Sequence, residues 1–258
     1  MGDEVLLEDR DGRGVVTLTF NRPHVRNAFD AELMGAITTS VDRLAADEQV
    51  RALVLTGAGD AFSAGADLNW MVAVADYTFE RNVEDSRGFD AMLRAVHDFP
   101  APVLGRVNGH AIAGASGLLA CMDIVVAVRG ARFGFTEARL GLVPAMISAY
   151  VQPRIGQSNA RRYFLTGEVF DTDRAAAIGL VHEVCEREEL DDTFASVLDA
   201  VVAAGPRAQR EIKRLIPAIA ATTDPAESEQ LRLTSIANAR IGEEAQARIR
   251  AFLDQRRG

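Results

Sequence analysis

Two turns rich in glycine and alanine carry the groups best suited to chemistry in this sequence. Phe62–Asp67 and Asn108–Gly117 each follow a short apolar run and precede a helical pattern. Small side chains let a ligand approach the main chain closely, and the first turn of a helix leaves several N–H groups without acceptors. Two such turns could direct two amides at one oxygen, which is how an oxyanion hole is built. Tight packing alone also explains these residues, so both interpretations remain open at this point.

Glu137 lies on the loop before Leu140, and the residues alone favour an ordinary surface carboxylate. The alternative is a general acid or base. If Glu137 faces an apolar pocket, burial should raise its pKa toward the range needed for proton exchange near neutral pH. Asp67 could be mistaken for a second acid. Its position before Leu68 and Trp70 favours a helix cap, because aspartate accepts hydrogen bonds from first-turn amides.

Charge and hydropathy exclude several classes of function. The 258 residues include 37 acidic and 28 basic side chains, a net charge of −9, and no extended basic cluster, so nucleic-acid binding is not expected. No apolar run approaches the roughly 18 residues of a membrane span. The acidic Met1–Glu4 lacks a signal pattern, so a cytoplasmic location is expected. Cys121 and Cys185 lack metal-type spacing, which predicts free thiols and no metal site.

Strand and helix patterns alternate along the first half of the chain. Strands are predicted at Val15–Phe20, Arg51–Thr56, Val103–Val107 and Asp123–Val128, and helices at Phe29–Leu44 and Phe79–His97. This alternation, with continuous apolar strands, predicts an α/β fold with mainly parallel strands. Later segments predict a short strand at Val181–Val184 and helices at Gly156–Thr166, Thr172–Ile178, Glu188–Ala204, Pro206–Ile219 and Pro225–Phe252. We therefore expect an α/β core over residues 1–200 and a helical region over 201–258.

Several motifs follow one another with a characteristic spacing. They are Asn21-Arg22-Pro23 with Asn27-Ala28, Phe62–Met71, Pro102–Asp123, Phe133-Gly134 with Glu137, Leu140–Pro144, Leu165–Gly167 and Gly179–Val181. Together they resemble the enoyl-CoA hydratase/isomerase (crotonase) family. The resemblance implies a spiral of ββα units with a helical C-terminal trimerisation region, assembled as a homotrimer or homohexamer. It also implies an acyl-CoA substrate, with no cofactor beyond the coenzyme A that the substrate carries.

The resemblance assigns roles to particular residues. It implies that the N–H groups of Ala66 and Gly114 hold the thioester oxygen, and that main chain near Ala64 contacts the CoA adenine. Glu137 would transfer a proton beside the α-carbon. Hydratases of the family commonly carry a second glutamate, whose position is taken here by Gly117, and the missing side chain would make room for a branched acyl group. Further substrate contacts are implied for Asp67, Leu68 and Arg256.

The same residues favour two different reactions. One carboxylate is enough to move a double bond, so Glu137 alone favours a Δ3,Δ2-enoyl-CoA isomerase. Phe62–Met71 and Glu137–Ser148 instead resemble bacterial methylglutaconyl-CoA hydratases, which favours adding water to a short branched 2-enoyl-CoA such as 3-methylglutaconyl-CoA. Arg139 could then pair with a substrate carboxylate, although a structural ion pair is the favoured interpretation. A non-catalytic acyl-CoA-binding protein is the third alternative, because one glutamate is absent.

Overall fold

The computed structural model describes residues 4–256. The expectation that the chain has no signal pattern rests mainly on Met1–Asp3. These residues lie outside the described part of the chain, as do Arg257 and Gly258. The strands of the described residues are β1 Leu6–Arg10, β2 Val15–Phe20, β3 Ala52–Gly57, β4 Ala61–Ser63, β5 Val103–Val107, β6 His110–Ile112, β7 Ile124–Val128, β8 Arg132–Gly134, β9 Val169–Asp171 and β10 Glu183–Cys185.

The α-helices are α1 Ala31–Ala45, α2 Leu68–Ala75, α3 Phe79–His97, α4 Gly114–Ala120, α5 Ala145–Thr166, α6 Thr172–Ala177, α7 Leu190–Ala203, α8 Pro206–Ala221, α9 Pro225–Ile241 and α10 Glu243–Gln255. Short 3₁₀ helices span Pro23–Val25, Glu137–Leu140 and Arg187–Glu189. None of the helices in residues 4–256 is long and apolar enough to cross a membrane.

Six strands form the larger sheet, in the order β1-β2-β3-β5-β7-β10. β1 runs antiparallel to β2, and the other neighbours are parallel. All six residues of β3 are buried, as expected for a parallel strand that is covered on both faces. One covering element is α1, which buries a stripe at helical spacing that consists of Leu33, Met34, Ile37, Val41 and Leu44.

The smaller sheet has the order β4-β6-β8-β9 and positions the turns discussed above. β3, β5 and β7 of the larger sheet are each followed by one short strand of the smaller sheet, namely β4, β6 and β8. A helix follows each pair, so the chain repeats a ββα unit three times. The predicted α/β spiral of ββα units is therefore confirmed. The strands β1, β4, β6, β8 and β9 were not predicted.

Two predicted helix boundaries are wrong because of glycines. The helix predicted over Pro225–Phe252 is two helices, since Gly242 has extended backbone angles (φ −68°, ψ 144°) and ends α9. The helix predicted from Gly156 begins earlier, at Ala145, and Gly156 (φ 76°, ψ 152°) is a break inside α5. Cys121 and Cys185 are buried free thiols, as expected.

The helices after residue 205 are held at the amino-terminal edge of the larger sheet. Lys213 Nζ lies 2.6 Å from Asp123 Oδ2, just before β7. Arg210 donates to the carbonyl of Val50, just before β3, at 3.2 Å. The turns Phe62–Asp67 and Asn108–Gly117 lie toward the opposite edge, because they follow the carboxyl ends of β3 and β5. The division into a core over residues 1–200 and a helical region over 201–258 stays a prediction.

Candidate active site

The side chain of Asn27 anchors the chain before the first turn. Asn27 is fully buried and has φ +55°. Its Oδ1 accepts the N–H of Arg22 at 2.9 Å, and its Nδ2 donates to the carbonyls of Ala58 and Ala61 at 2.8 and 2.9 Å. One amide thus satisfies three main-chain groups and fixes the turn between β3 and β4 against residues 22–28.

The N–H group of Ala66 has no hydrogen-bond acceptor in the described part of the chain. The N–H of Phe29 donates to the carbonyl of Gly65 at 2.7 Å, and the N–H of Asp67 donates to the carbonyl of Phe29 at 2.9 Å. Successive residues of an extended chain point to opposite sides. The N–H of Ala66 therefore points away from Phe29, and no acceptor within residues 4–256 receives it.

Asp67 caps α2 and forms an ion pair. Its side chain accepts the N–H of Asn69 at 2.9 Å, which confirms the predicted cap. Its Oδ2 lies 3.1 Å from Arg22 Nη2, and the same nitrogen lies 2.8 Å from Asp30 Oδ2. The cap and the ion pair hold the first turn of α2 directly after Ala66. A substrate contact by Asp67 stays a prediction.

A close approach of main chain brings the two turns together. A Cβ atom added at Gly65, where φ is +88°, would lie 2.6 Å from the carbonyl oxygen of Ile112 and 3.4 Å from Cβ of Ala113. Only glycine permits this approach and this φ. The parallel pairing of β4 with β6 supports the same placement. Residues 64–67 and 112–114, predicted from the sequence to converge, therefore lie side by side.

The second turn also ends in an unengaged N–H group. Gly114 is the first residue of α4, and within residues 4–256 no acceptor receives its N–H. Ala113 before it donates to the carbonyl of Gly134 at 2.7 Å. The Ser116 hydroxyl accepts the N–H of Gly134 at 3.1 Å and donates to the carbonyl of Ala111 at 2.6 Å. These bonds tie the start of α4 to β6 and β8.

Glu137 supplies a carboxylate whose inner oxygen has no partner. It begins the 3₁₀ helix Glu137–Leu140, which Gly141 ends with φ +73° and which packs on α5. Its Oε2 is buried, and no donor among residues 4–256 reaches it. Burial raises the pKa of Glu137 above its ordinary value, and a hydrogen bond from its own N–H opposes this only in part. The predicted direction of the pKa shift is confirmed, and a carboxylate of this kind suits proton transfer near neutral pH.

The space beside Gly117 is filled by protein. A Cβ atom added at Gly117 would lie 2.1 Å from Cγ2 and 2.5 Å from Cβ of Ile147, which is 1% exposed. The expectation that the missing side chain leaves room for an acyl group is therefore wrong, because Ile147 from α5 occupies that volume. A contact between Gly117 and substrate stays a prediction.

A cavity lies between α3 and the first turn of α5. Its volume is about 480 Å³, which is typical of small-molecule sites. The adjacent Phe89 contacts the second turn, because its ring would lie 2.8 Å from a Cβ atom at Gly114. Six lining residues share one face of α3, and the seventh belongs to α5: Phe79, Asn82, Val83, Ser86, Arg87, Asp90 and Met146.

Arg26 is a candidate site residue that the sequence analysis missed. It lines a second cavity of about 450 Å³ with Pro23, His110 and the 58–61 turn. The carbonyl of Arg26 accepts the N–H of Ala64 at 2.9 Å, and Ala64 is exposed. Within residues 4–256, no carboxylate lies within 4.0 Å of the Arg26 guanidinium. Arg26 directly precedes the Asn27-Ala28 motif, and this position could have identified it from the sequence.

Leu68 and Arg139 lie on exposed parts of the turns around the site. Leu68 is the first residue of α2 and is 77% exposed. Arg139 packs its stem on Gly167, where an added Cβ atom would lie 2.8 Å from its Cγ. The expected structural ion pair at Arg139 is wrong, since none of the carboxylates in residues 4–256 pairs with it. Contacts of either residue with substrate stay predictions.

The structure does not join Arg256 to the two turns of the same chain. Its guanidinium lies over the ring of Phe252, 4.8 Å from the centroid. The helix before it, α10, is held through Arg248, which donates to the carbonyls of Ala203 and Ala204 at 2.8 and 3.1 Å. These carbonyls lie at the amino-terminal edge of the larger sheet. A contact between Arg256 and CoA phosphate stays a prediction.

Trp70 ties α2 to α3 above the first turn. Its indole Nε1 donates to Oδ1 of Asp85 at 3.1 Å, and its ring is partly buried against the core. α2 itself has no fully buried residue. This bond therefore helps to fix the helix that begins directly after Ala66 and Asp67.

A family model described as enoyl-CoA hydratase/isomerase matches residues 10–257. The chain belongs to this family. Family members with similar sequences include a short-chain-enoyl-CoA hydratase of Clostridium acetobutylicum, which is 31% identical over 83% of this chain and 81% of its own. A 1,2-epoxyphenylacetyl-CoA isomerase of Escherichia coli is 32% identical over 70% of each chain. The crystal structure of an enoyl-CoA hydratase from Mycobacterium smegmatis superposes with a TM-score of 0.92, at 34% identity, covering 98% of this chain and 97% of that chain.

Membership of the enoyl-CoA hydratase/isomerase family agrees with the geometry of the site. Two N–H groups on neighbouring turns, and a carboxylate with one buried oxygen, have no partner within residues 4–256. Thioester enolate chemistry requires parts of this kind. The relatives named above include both a hydratase and an isomerase, so the family alone does not select the reaction.

Proposed function

We propose that this protein is an enoyl-CoA hydratase that adds water to a 2-enoyl-CoA thioester. The observation that carries the proposal is the carboxylate of Glu137, whose inner oxygen is buried without a donor. A buried polar atom without a partner costs free energy, which argues for a role in function rather than in folding. One of the two similar sequences named above, and the similar structure, are hydratases by name.

The two amides would stabilise the negative charge that develops on the thioester oxygen. The N–H groups of Ala66 and Gly114 would donate to this oxygen as the enolate forms. Each donor in such a site typically contributes about 3–4 kcal/mol to transition-state stabilisation. Because both donors are main-chain groups on fixed turns, they need little reorganisation during the reaction.

Glu137 would exchange a proton with the α-carbon of the substrate. Burial raises the pKa of Glu137, so a larger fraction of its carboxyl groups keeps the proton as the pH approaches neutrality. The protonated form can deliver a proton to the α-carbon in hydration, and the ionised form can remove it in the reverse reaction. This chemistry uses hydrogen bonds and one acid–base group, with no metal or redox cofactor.

Coenzyme A would lie along the first turn. The exposed main chain at Ala64 would contact the adenine, and the Arg26 guanidinium lines the neighbouring cavity without a carboxylate partner in the described chain. An arginine free of acidic partners suits a phosphate group. Arg256 would contribute a further phosphate contact, supplied within an oligomer rather than from the same chain.

The acyl group would be short and branched, as in 3-methylglutaconyl-CoA. The support is the likeness of Phe62–Met71 and Glu137–Ser148 to methylglutaconyl-CoA hydratases and a cavity of about 480 Å³ beside the turns. Arg87 in the cavity lining could meet a polar acyl end, whereas Ile147 closes the space at Gly117.

The protein would act as a homotrimer or homohexamer in the cytoplasm. Large apolar side chains on α8, α9 and α10 support an assembly through these helices, because they are exposed in the single chain. They are Ile212, Ile216, Leu233, Ile236, Ile241, Ile249, Phe252 and Leu253.

Loss of enoyl-thioester absorbance tests the proposal. Crotonyl-CoA and 3-methylglutaconyl-CoA should both be hydrated. Glu137→Gln should lower turnover by about 10²–10⁴-fold while CoA-thioester affinity is kept, because only the proton transfer is removed. Glu183 is an exposed carboxylate on β10, so Glu183→Gln is the matched control and should behave as the wild type.

Other outcomes identify the alternatives. An isomerase with Glu137 as its single base would hydrate neither substrate but would rapidly convert a 3-enoyl-CoA. The E. coli relative named above is an isomerase, which is the observation that favours this second candidate. A protein that binds acyl-CoA and turns over none of these substrates would be a non-catalytic binder.

A further inference from the structure

One carboxylate in the cavity between α3 and α5 has no role in the mechanism above. Asp90 is half-buried and lines this cavity. Within residues 4–256, its carboxylate has no hydrogen-bond or salt-bridge partner. Arg87, which could have paired with it, lies 3.2 Å from Glu84 instead. The carboxylate is therefore free to bind a ligand or a water molecule.

The neighbours of Asp90 place it beside the turns. Phe89, the preceding residue, contacts the position of Gly114. Met146, on the opposite wall of the cavity, precedes Ile147, which covers Gly117. Burial raises the pKa of Tyr150 to about 12, and the negative charge of Asp90 adds to this effect, so Asp90 faces α5. The two helices that form the cavity walls, α3 and α5, thus both reach α4, at whose first residue the Gly114 N–H is located.

Hydration is easier with a second acid–base group, which the expected position at Gly117 cannot supply. Water must lose a proton as it attacks the β-carbon, while the α-carbon must gain one. No carboxylate can reach the reacting atoms from Gly117, because Ile147 fills the adjoining volume. A second carboxylate must come from another element, and α3 presents one.

We propose that Asp90 is the second acid–base group and accepts the proton of the attacking water. This inference rests on the hydratase function proposed above. The water oxygen forms a bond to the β-carbon as its proton passes to the Asp90 carboxylate. The π electrons of the double bond move into the enolate, which the N–H groups of Ala66 and Gly114 stabilise. Glu137 then gives its proton to the α-carbon, and exchange with solvent restores both carboxyl groups.

Two measurements separate this role from that of Glu137. The first is hydration of crotonyl-CoA, which needs both groups. The second is exchange of the α-protons of butyryl-CoA in D₂O, which needs only the amides and Glu137. Asp90→Asn should lower hydration by about 10²–10⁴-fold. It should leave α-proton exchange within about twofold of the wild type, whereas Glu137→Gln should abolish both.

Control variants exclude a structural explanation. Glu80 is an exposed carboxylate on the same helix outside the cavity lining, and Glu80→Gln should change neither reaction. Asp90→Ala should regain part of its hydration rate when formate is added, because a free carboxylate can occupy the space of the missing one. A general folding defect would not respond to formate.

Three results would overturn the inference. Asp90→Asn could hydrate crotonyl-CoA at the wild-type rate, which would show that Asp90 takes no part. Asp90→Asn could lose hydration and exchange equally, and formate could fail to rescue Asp90→Ala. That result would show a structural role. A wild-type protein that exchanges α-protons but hydrates no enoyl-CoA would instead refute the hydratase function, and this inference with it.

Discussion

At Glu137, burial disfavours the ionised carboxylate and raises its pKa, which the hydrogen bond from its own N–H offsets only in part. No donor within residues 4–256 reaches its Oε2. Asp67 differs, although it is almost fully buried, because the Asn69 N–H and the Arg22 guanidinium contact its carboxylate. Because its carboxylate already has these partners, Asp67 suits a structural role. The partners of each carboxylate, rather than its burial alone, distinguish the two residues.

The raised pKa of Glu137 predicts a pH dependence of stability. Below its ordinary value of 4.5, Glu137 is protonated in both the folded and unfolded states and carries no penalty. As the pH rises through the folded-state value, ionisation becomes costly in the folded state alone. Glu137→Gln, which cannot ionise, should therefore gain thermal stability relative to the wild type at pH 8. Melting temperatures should show this gain shrinking toward pH 4, and a gap that is constant or widest at pH 4 would contradict the linkage.

At the scale of elements, the turn into α4 contains a strained residue. Ala113 has φ 51° and ψ −120°, which residues with a Cβ atom adopt at a cost of about 1–3 kcal/mol. The neighbouring bonds from Ala113 and Ser116 to Gly134 hold this geometry. The strain is therefore located directly before the Gly114 N–H.

Ala113→Gly should relieve this strain. We expect a gain of about 1 kcal/mol in the free energy of unfolding, after allowing for the larger entropy of an unfolded glycine. Ala115→Gly, two residues later inside α4, is the matched control and should lose about 1 kcal/mol, because glycine is a poor helix former. Denaturant titration measures both, and a destabilised Ala113→Gly variant would show that the turn is not strained.

The sequence predicted the long elements better than the short ones. β2, β3, β5 and β7 are runs of five or six mainly apolar residues, which local pattern identifies. β4, β6, β8 and β9 have three residues each and form only because they pair with one another, which no local pattern encodes. The expectation of free space at Gly117 was wrong for the same reason. Ile147, which fills that space, lies thirty residues away in the sequence, so no local pattern reveals the contact. The two turns and Glu137 could be singled out from the sequence because their motifs are local.

At the scale of the molecule, the exposed apolar side chains of α8, α9 and α10 predict self-association. Gel filtration should give a trimer or hexamer rather than a monomer of 27.8 kDa. Phe252→Asp should weaken the assembly, because a charge replaces an apolar side chain that is 54% exposed in the single chain. Arg250→Asp on the same helix is the control. Elution of the wild type as a monomer would refute the prediction.

The position of Trp70 has a practical consequence. It is the only tryptophan in the chain, and it stands four residues after Ala66 with its indole bonded to Asp85. The tryptophan emission of the protein therefore comes from one place beside the turn. Ligand titrations can follow that emission as an optical reporter of α2, without attaching a dye.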